Sequence, residues 1–263
     1  MPVGVALLAA GSIAANPVGS YNQTRLAYIY NDEEPEIYAV VKALPLKQLA
    51  NELVAAAFLE ALGLRCPRSY LVLSHEEDSF SNNAPLHSSG LRMYYGSSFI
   101  KHPIFVQKIR EDAQGAVATI LNYPEWGDVV AFDEWIANVD RHSHNLLFDG
   151  KDFIMFDHDR CLSGLDWNID DWVADKSYHP HDFVPWLHEL MPLPLRERAA
   201  ERATLLSASA TGVDVEAALK SSLIEELGGE ISAALAPMRE FLSERVTHLP
   251  KLTGARLNVG GLV

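Results

Sequence analysis

The stretch Asn138-Val139-Asp140-Arg141-His142-Ser143-His144-Asn145-Leu146-Leu147, followed by Phe156-Asp157-His158-Asp159, carries the densest chemistry in the chain. Upstream, Val129, Phe132, Ile136 and Val139 recur on one helical face, and the spacing runs this helix directly into Asn138–His142. Two short apolar runs, 145–148 and 153–156, flank an Asp149-Gly150 pair, which signals a hairpin. The order helix, D-x4-N, hairpin, Asp has a physical reading. Asp140 at a helix end can approach a hydroxyl nucleophile, while Asn145 on the next strand and Asp157 at the end of its partner can face one divalent cation. Oxygen ligands of this kind suit magnesium. In phosphoryl transfer such an ion holds the terminal phosphates while a carboxylate orients the attacking group or accepts its proton.

Towards the N-terminus, residues 3–10 read as a buried strand or a short helix. A breaker cluster of Gly11, Ser12, Asn16, Pro17, Gly19 and Ser20 precedes an alternating strand at 24–30. A polar turn at 31–35 leads to a strand at 37–41 with Lys42 at its end, so three antiparallel strands are expected. Residues 46–62 carry apolar side chains at helical spacing on nearly all sides, and Gly63 supplies the stop, which leaves Glu52 partly enclosed. Strands follow at 69–73 and 91–99, separated by a polar surface loop over 75–89. The stretch 94–124 holds the connection between two lobes, with the boundary near residue 98. Beyond Gly164 the chain is aromatic, acidic and proline-punctuated. Helices are expected at 213–227 and 231–246, and the last ten residues read as a weakly ordered tail.

Composition narrows the class. With 263 residues, 48% hydrophobic and 21% charged, the chain has enough apolar material for a large core and is neither disordered nor fibrous. A net charge of −14 argues against a broad nucleic-acid-binding surface. The two cysteines, Cys66 and Cys161, support neither a disulfide framework nor a cysteine-rich zinc module, and fit a reducing compartment. Residues 1–16 are apolar but have no Lys or Arg ahead of the hydrophobic stretch, unlike a secretory signal. No uninterrupted apolar run of about 18 residues offers a membrane-spanning helix. The expectation is a cytoplasmic protein without membrane insertion.

The 138–159 segment resembles the HipA-like kinase family, a divergent branch of the protein-kinase-like fold, and is less closely similar to phosphoinositide kinases. The resemblance extends upstream. Val40-Val41-Lys42 resembles the strand lysine of that fold, Ala50-Asn51-Glu52-Leu53 the helix bearing its glutamate partner, and residues 11–22, with Gly19 and Ser20, the phosphate-covering loop. It implies an α+β, two-lobe fold: a small antiparallel-sheet N-lobe, 1–98, that binds nucleotide, and a mainly helical catalytic C-lobe, 99–263. It further implies Asp140 as the catalytic carboxylate, Asn145 and Asp157 as magnesium ligands, Lys42 on the α- and β-phosphates of ATP, and Glu52 holding Lys42. The acceptor it favours is a protein Ser/Thr hydroxyl, with a small molecule or lipid headgroup as alternatives. Two features depart from ordinary protein kinases: Asp157-His158-Asp159 stands where they carry Asp-Phe-Gly, and the 11–22 loop lacks GxGxxG spacing. No DNA-binding domain accompanies the motif, so the toxin role of some relatives does not transfer.

Other readings of the same residues are open. Asp159 reaches the metal or only makes a turn, and His142 can orient the loop by hydrogen bonding. The set His142, His144, His158, His179, His181 and His188, with Asp157, Asp159 and Asp182, suggests a metal-dependent phosphohydrolase, though its spacing matches no established ligand set. A non-catalytic nucleotide-binding or interaction module with the same shape is the other alternative, opposed by the presence of Lys42, Asp140 and Asp157 together. Trp167, Trp172, Tyr178, Phe183 and Trp186 suit core packing or substrate contact.

Overall fold

A computed structural model describes residues 3–13, 23–101, 107, 110–123, 125–149, 151–178, 189 and 191–257. The alternation expected at 24–30 forms β2 (Gln23–Tyr30), which pairs antiparallel with β1 (Gly4–Leu8) and β3 (Ile37–Ala43). Residues 3–10 thus take the strand alternative. After α1 (Leu46–Ala61), β4 (Ser69–Ser74) and β5 (Arg92–Ser98) complete a closed barrel in the order β1-β2-β3-β5-β4. Closure corrects the expected antiparallel sheet, because β1 and β4 run parallel, from Gly4 opposite Tyr70 to Leu7 opposite Leu73. The reason is topological. α1 carries the chain back along the strands, so β4 starts from the same end as β1.

Strand alternation sorts the side chains. Ala6, Ala27, Ile29, Ala39, Val41, Val72 and Tyr94 fill one cluster with Tyr70, inside the barrel. Gly96 lies there so close to β4 that a Cβ would stand 2.5 Å from Val72 Cγ2. The alternate residues Leu71, Met93 and Tyr95 join a second, larger core with α1. On β3 the same alternation puts Val41 inside and Lys42 on the α1 side, opposite its register partner Tyr95. α1 is buried continuously from Leu49 to Leu59, as its all-round apolar sequence requires. It packs on β4 and β5 and also on α5 (Val215–Ser221) and the 3-10 turn Ile224–Leu227. Gly63, at φ +67°, ends the helix while the Leu64 N–H donates to the Leu59 carbonyl over 2.9 Å.

The remainder is mainly helical: α2 (Ala113–Asn122), α3 (Trp126–Trp135), the β6–β7 hairpin (Leu146–Phe148 and Phe153–Met155), α4 (Leu193–Ala210), α5 and α6 (Gly229–Leu257). α3 packs against α4 and α6. A Cβ on Gly127 would stand 1.9 Å from the Ala199 carbonyl oxygen, so glycine permits the close approach of α3 and α4. Phe58 meets Trp135 edge-on with ring centroids 5.0 Å apart, joining α1 to α3.

Several expectations change. α4 was not anticipated, since its sequence is rich in charge and its apolar stripe is largely alanine. The expected helix at 213–227 breaks after Ser221, with Leu223 left-handed at φ 61°. α6 continues through Pro237 and Pro250 to Leu257, so the start of the expected tail is helical and 258–263 lie outside the described residues. The 75–89 loop holds a 3-10 turn, Glu76–Asp78, and buries Ala84 with the barrel cluster. No helix among the described residues is long and apolar enough to cross a membrane.

Candidate active site

Lys42 reaches the site because β3 places it on the outer face of the barrel, where α1 crosses. Its Nζ donates to Glu52 Oε1 over 2.5 Å and to Asp157 Oδ1 over 2.6 Å. The Glu52 side chain is fully buried, and its other oxygen, Oε2, accepts the backbone N–H of His158 over 3.0 Å. Strand, helix and the segment after the hairpin therefore meet at one ammonium group. Burial works against the charge on Lys42, but the Asp157 and Glu52 carboxylates outweigh it and hold its pKa well above the ordinary lysine value. The carboxylates diverge. Burial pushes Glu52 up to about 7, against the pull of Lys42. At Asp157 burial also opposes ionisation, but Lys42 prevails and holds its pKa below the usual carboxylate value.

Asp140 lies in a loop, which corrects its expected place at a helix end. α3 stops at Trp135, Ala137 turns at φ 50°, and the Asn138 N–H donates back to the Asp133 carbonyl over 2.8 Å. The helical periodicity continued because Ile136 and Val139 remain apolar, although the backbone had already turned. Asn138 Oδ1 accepts the Asp140 N–H over 3.1 Å and fixes the carboxylate's backbone. Asn145 closes a 3-10 turn, Ser143–Asn145, one residue before β6 and not on the strand as expected. Its Nδ2 donates to the Asp140 carbonyl over 2.7 Å, linking catalytic-carboxylate candidate and metal-ligand candidate directly. Asp157 follows β7 by two residues in a left-handed backbone, φ 62°, which turns the chain at the site.

Under this loop lies Arg141, fully buried. It grips Asp133 with two bonds of 2.9 Å and donates to the Asn145 carbonyl over 2.7 Å and the Phe156 carbonyl over 3.3 Å. Its Nη2 also meets His158 Nε2 at 2.7 Å. Burial, then the charge of Arg141, pushes His158 down to about 3, so the ring is neutral and Nε2 accepts. Asn51, fully buried beside Glu52, donates to the carbonyls of Asp159 (2.8 Å) and Gly164 (3.0 Å) and accepts from Trp167 Nε1 (2.8 Å). Arg141, Asp133 and Asn51 were not given these roles in the sequence, and His158 was read there only within the Asp157-His158-Asp159 segment and the histidine set. The only available signal was their position beside Asp140 and Glu52.

His142 has Nε2 3.6 Å from Asp140 Oδ2, and its Nδ1 accepts the His144 N–H over 3.2 Å, in line with an orienting role. Asp159 is buried. Trp167 and Tyr178 pack in the core and Trp172 lies partly buried against it. Gly19 and Ser20 lie outside the described residues, as do His179, His181, His188, Asp182, Phe183 and Trp186. Among the described residues no set of three or more His, Cys, Asp or Glu side chains converges as a metal site.

The site oxygens nonetheless fit magnesium held jointly with phosphates. Asn145 spends its amide nitrogen on Asp140, and among the described residues its Oδ1 takes no hydrogen bond. Asp157 uses Oδ1 for Lys42 and has Oδ2 in reserve. Magnesium commonly takes one or two protein oxygens and completes its shell with phosphate and water.

A family model for HipA-like kinases matches residues 21–181, more than half of the chain and the whole interval from β2 to beyond the Asp157 segment. The solved structure of the proinflammatory kinase CtkA from Helicobacter pylori aligns over 95% of this chain and 97% of that one, with a TM-score of 0.50 at 14% identity, which makes the mixed α+β fold kinase-like. No curated protein matches the chain. With its family match spanning the elements that bring Lys42, Glu52, Asp140, Asn145 and Asp157 together, the chain belongs to the HipA-like kinase family.

Proposed function

We propose that this kinase transfers the γ-phosphate of ATP, with magnesium, to an alcohol hydroxyl, a protein Ser/Thr being the favoured acceptor. The supporting observation is the meeting of Lys42 Nζ with both Glu52 and Asp157, beside a loop in which Asn145 is bonded to Asp140. In this reading residues 1–98 form a nucleotide-binding lobe and 99–263 a catalytic lobe, with ATP in the cleft between them. Lys42 binds α- and β-phosphate oxygens, and Glu52 keeps Lys42 in place. Gly19 and Ser20 belong to the phosphate-covering loop. Asn145 and Asp157 would hold the magnesium ion, which supplies charge neutralisation at the phosphates. Asp140 aligns the acceptor hydroxyl and takes its proton. The Lys42–Asp157 contact loosens when the phosphates arrive, because both groups then gain stronger partners. The reading places the protein in the cytoplasm, without direct nucleic-acid binding or membrane insertion.

The test is radiolabelled ATP with magnesium, offered with protein extract and with small metabolites to wild type and Asp140→Ala. Wild type should label protein, and Asp140→Ala should lose about 10²-fold or more of the transfer while keeping most nucleotide affinity. Asp157→Ala should instead weaken magnesium-dependent nucleotide binding. Equal transfer by Asp140→Ala would refute the role given to Asp140, and label confined to small molecules would reassign the acceptor.

A further inference from the structure

We infer that Arg160 is a catalytic residue that binds the phosphoryl group in flight, an inference that rests on the kinase reading above. Arg160 follows Asp157 by three residues, and its backbone is stitched to the catalytic loop: its carbonyl accepts the Val139 N–H over 3.2 Å, while Leu162 and Ser163 donate to the carbonyls of Ile136 and Ala137 over 2.7 and 3.0 Å. This ladder sets the guanidinium beside the catalytic-carboxylate candidate, with Nη1 3.3 Å from Asp140 Oδ1. The two side chains stay open to solvent, 42% exposed for Arg160 and 25% for Asp140.

Its position beside Asp140 distinguishes this residue from the other cations of the site. Lys42, held by Glu52 and Asp157, is assigned above to the α- and β-phosphates, and Arg141 is fully buried with its donors on Asp133, His158 and two carbonyls, which leaves neither for the transferring group. A guanidinium carries five N–H donors. Among the described residues the Arg160 guanidinium bonds only Asp140, through Nη1. The site is otherwise acidic, with Glu52, Asp140, Asp157 and Asp159 in a chain of net charge −14. A transferring group beside Asp140 meets the Arg160 guanidinium at once, and the guanidinium fork is suited to phosphate oxygens.

In the proposed step the acceptor hydroxyl oxygen forms a bond to the γ-phosphorus as the bond from that phosphorus to the β–γ bridging oxygen breaks. The electron pair of the broken bond leaves with ADP, and the hydroxyl proton passes to Asp140. Arg160 donates to the equatorial oxygens of the transferring group, where charge is carried in the transition state, and its contact with Asp140 holds cation and base on the same side. A solvent-exposed ion pair with no further role would contribute little to anything.

The experiment compares MgADP affinity with and without fluoroaluminate, a mimic of the transferring phosphoryl group, for wild type, Arg160→Ala and Arg160→Lys. Wild type should bind MgADP more tightly with fluoroaluminate. Arg160→Ala should keep MgADP affinity within about twofold but lose most of the fluoroaluminate enhancement, with kcat down about 10²-fold. Millimolar guanidinium should restore part of the turnover of Arg160→Ala and none of that of Asp140→Ala, and Arg160→Lys should lie between wild type and alanine. An unchanged fluoroaluminate enhancement in a folded Arg160→Ala overturns the assignment to Arg160 alone. A wild type that binds no MgADP overturns the nucleotide site and this assignment together.

Discussion

Asn51 and Glu52 show how adjacent side chains on one buried turn of α1 divide the work. Glu52 holds the charge of Lys42, while Asn51 fastens the chain that follows Asp157 through its bonds to Asp159, Gly164 and Trp167. Removing the Asn51 amide leaves two carbonyls and an indole N–H without their partner in the interior, and unmet buried groups of this kind are expensive. Asn51→Ala should therefore lose about 3 kcal/mol in chemical denaturation, and its nucleotide affinity should fall because the Asp157 segment is no longer tethered. An unchanged denaturation midpoint would show that the tether is supplied elsewhere. The left-handed residues Ala137, Asp157, Leu162 and Ser163 lie in the same segments. Non-glycine residues in this conformation cost about 1–2 kcal/mol each, so the surrounding bonds must hold them.

The β6–β7 hairpin connects Asn145 to Asp157, and its turn sets their separation. Phe148 pairs with Phe153, so the turn spans the four residues between them, and Asp149 Oδ1 accepts the N–H groups of Lys151 (2.9 Å) and Asp152 (2.8 Å). Arg65, just beyond α1, pairs with Asp149 and Asp152 over 2.6 and 2.8 Å. The Asp152 N–H above all, with burial opposing and with Lys151 and Arg65 assisting, pulls Asp149 down to about 2 from a reference of 3.8. The fold thus favours the ionised form. The stabilisation is complete above about pH 4 and is lost as pH falls through the folded value. Asp149→Asn should melt about 2–4 °C below wild type at neutral pH, with the difference closing as the pH drops from about 4 towards 2. Melting curves across that window decide it, and a gap that stays constant would mean that charge on Asp149 contributes nothing.

The barrel and the helical part share a core through α1, which touches β4 and β5 on one side and α5 on the other. A second buried network locks the helical part: Glu134 on α3 pairs with Arg245 over 3.1 Å and Arg256 over 2.5 Å, both on α6. Arg245 also donates to the carbonyls of Ala174 (2.9 Å) and Lys176 (2.7 Å), and Arg256 to that of Tyr178 (2.9 Å), so the chain after the site is anchored to α6. Losing the carboxylate would take from both buried guanidiniums the counter-charge they share. Glu134→Gln should cost about 3–5 kcal/mol, and because the core is continuous the loss should lower one cooperative transition. Calorimetry that resolved two transitions, with only one shifted, would separate the barrel from the helices.

Local chemistry was enough to place β2 to β5, α1 and the candidate cluster around Asp140, and left β1 open between strand and short helix, because alternation, helical spacing and the Asp149-Gly150 turn signal each depend on neighbours a few residues away. It was not enough for α4, whose alanine stripe gives little contrast, or for the end of α3, where apolar spacing outlasts the helix. Closure of the barrel, the parallel pairing of β1 with β4, the supports Asn51, Asp133 and Arg141, and the approach of Arg160 to Asp140 depend on residues from distant parts of the chain meeting. Such contacts are set by packing and by the need to pair buried polar groups, and neither leaves a periodic mark on the order of amino acids.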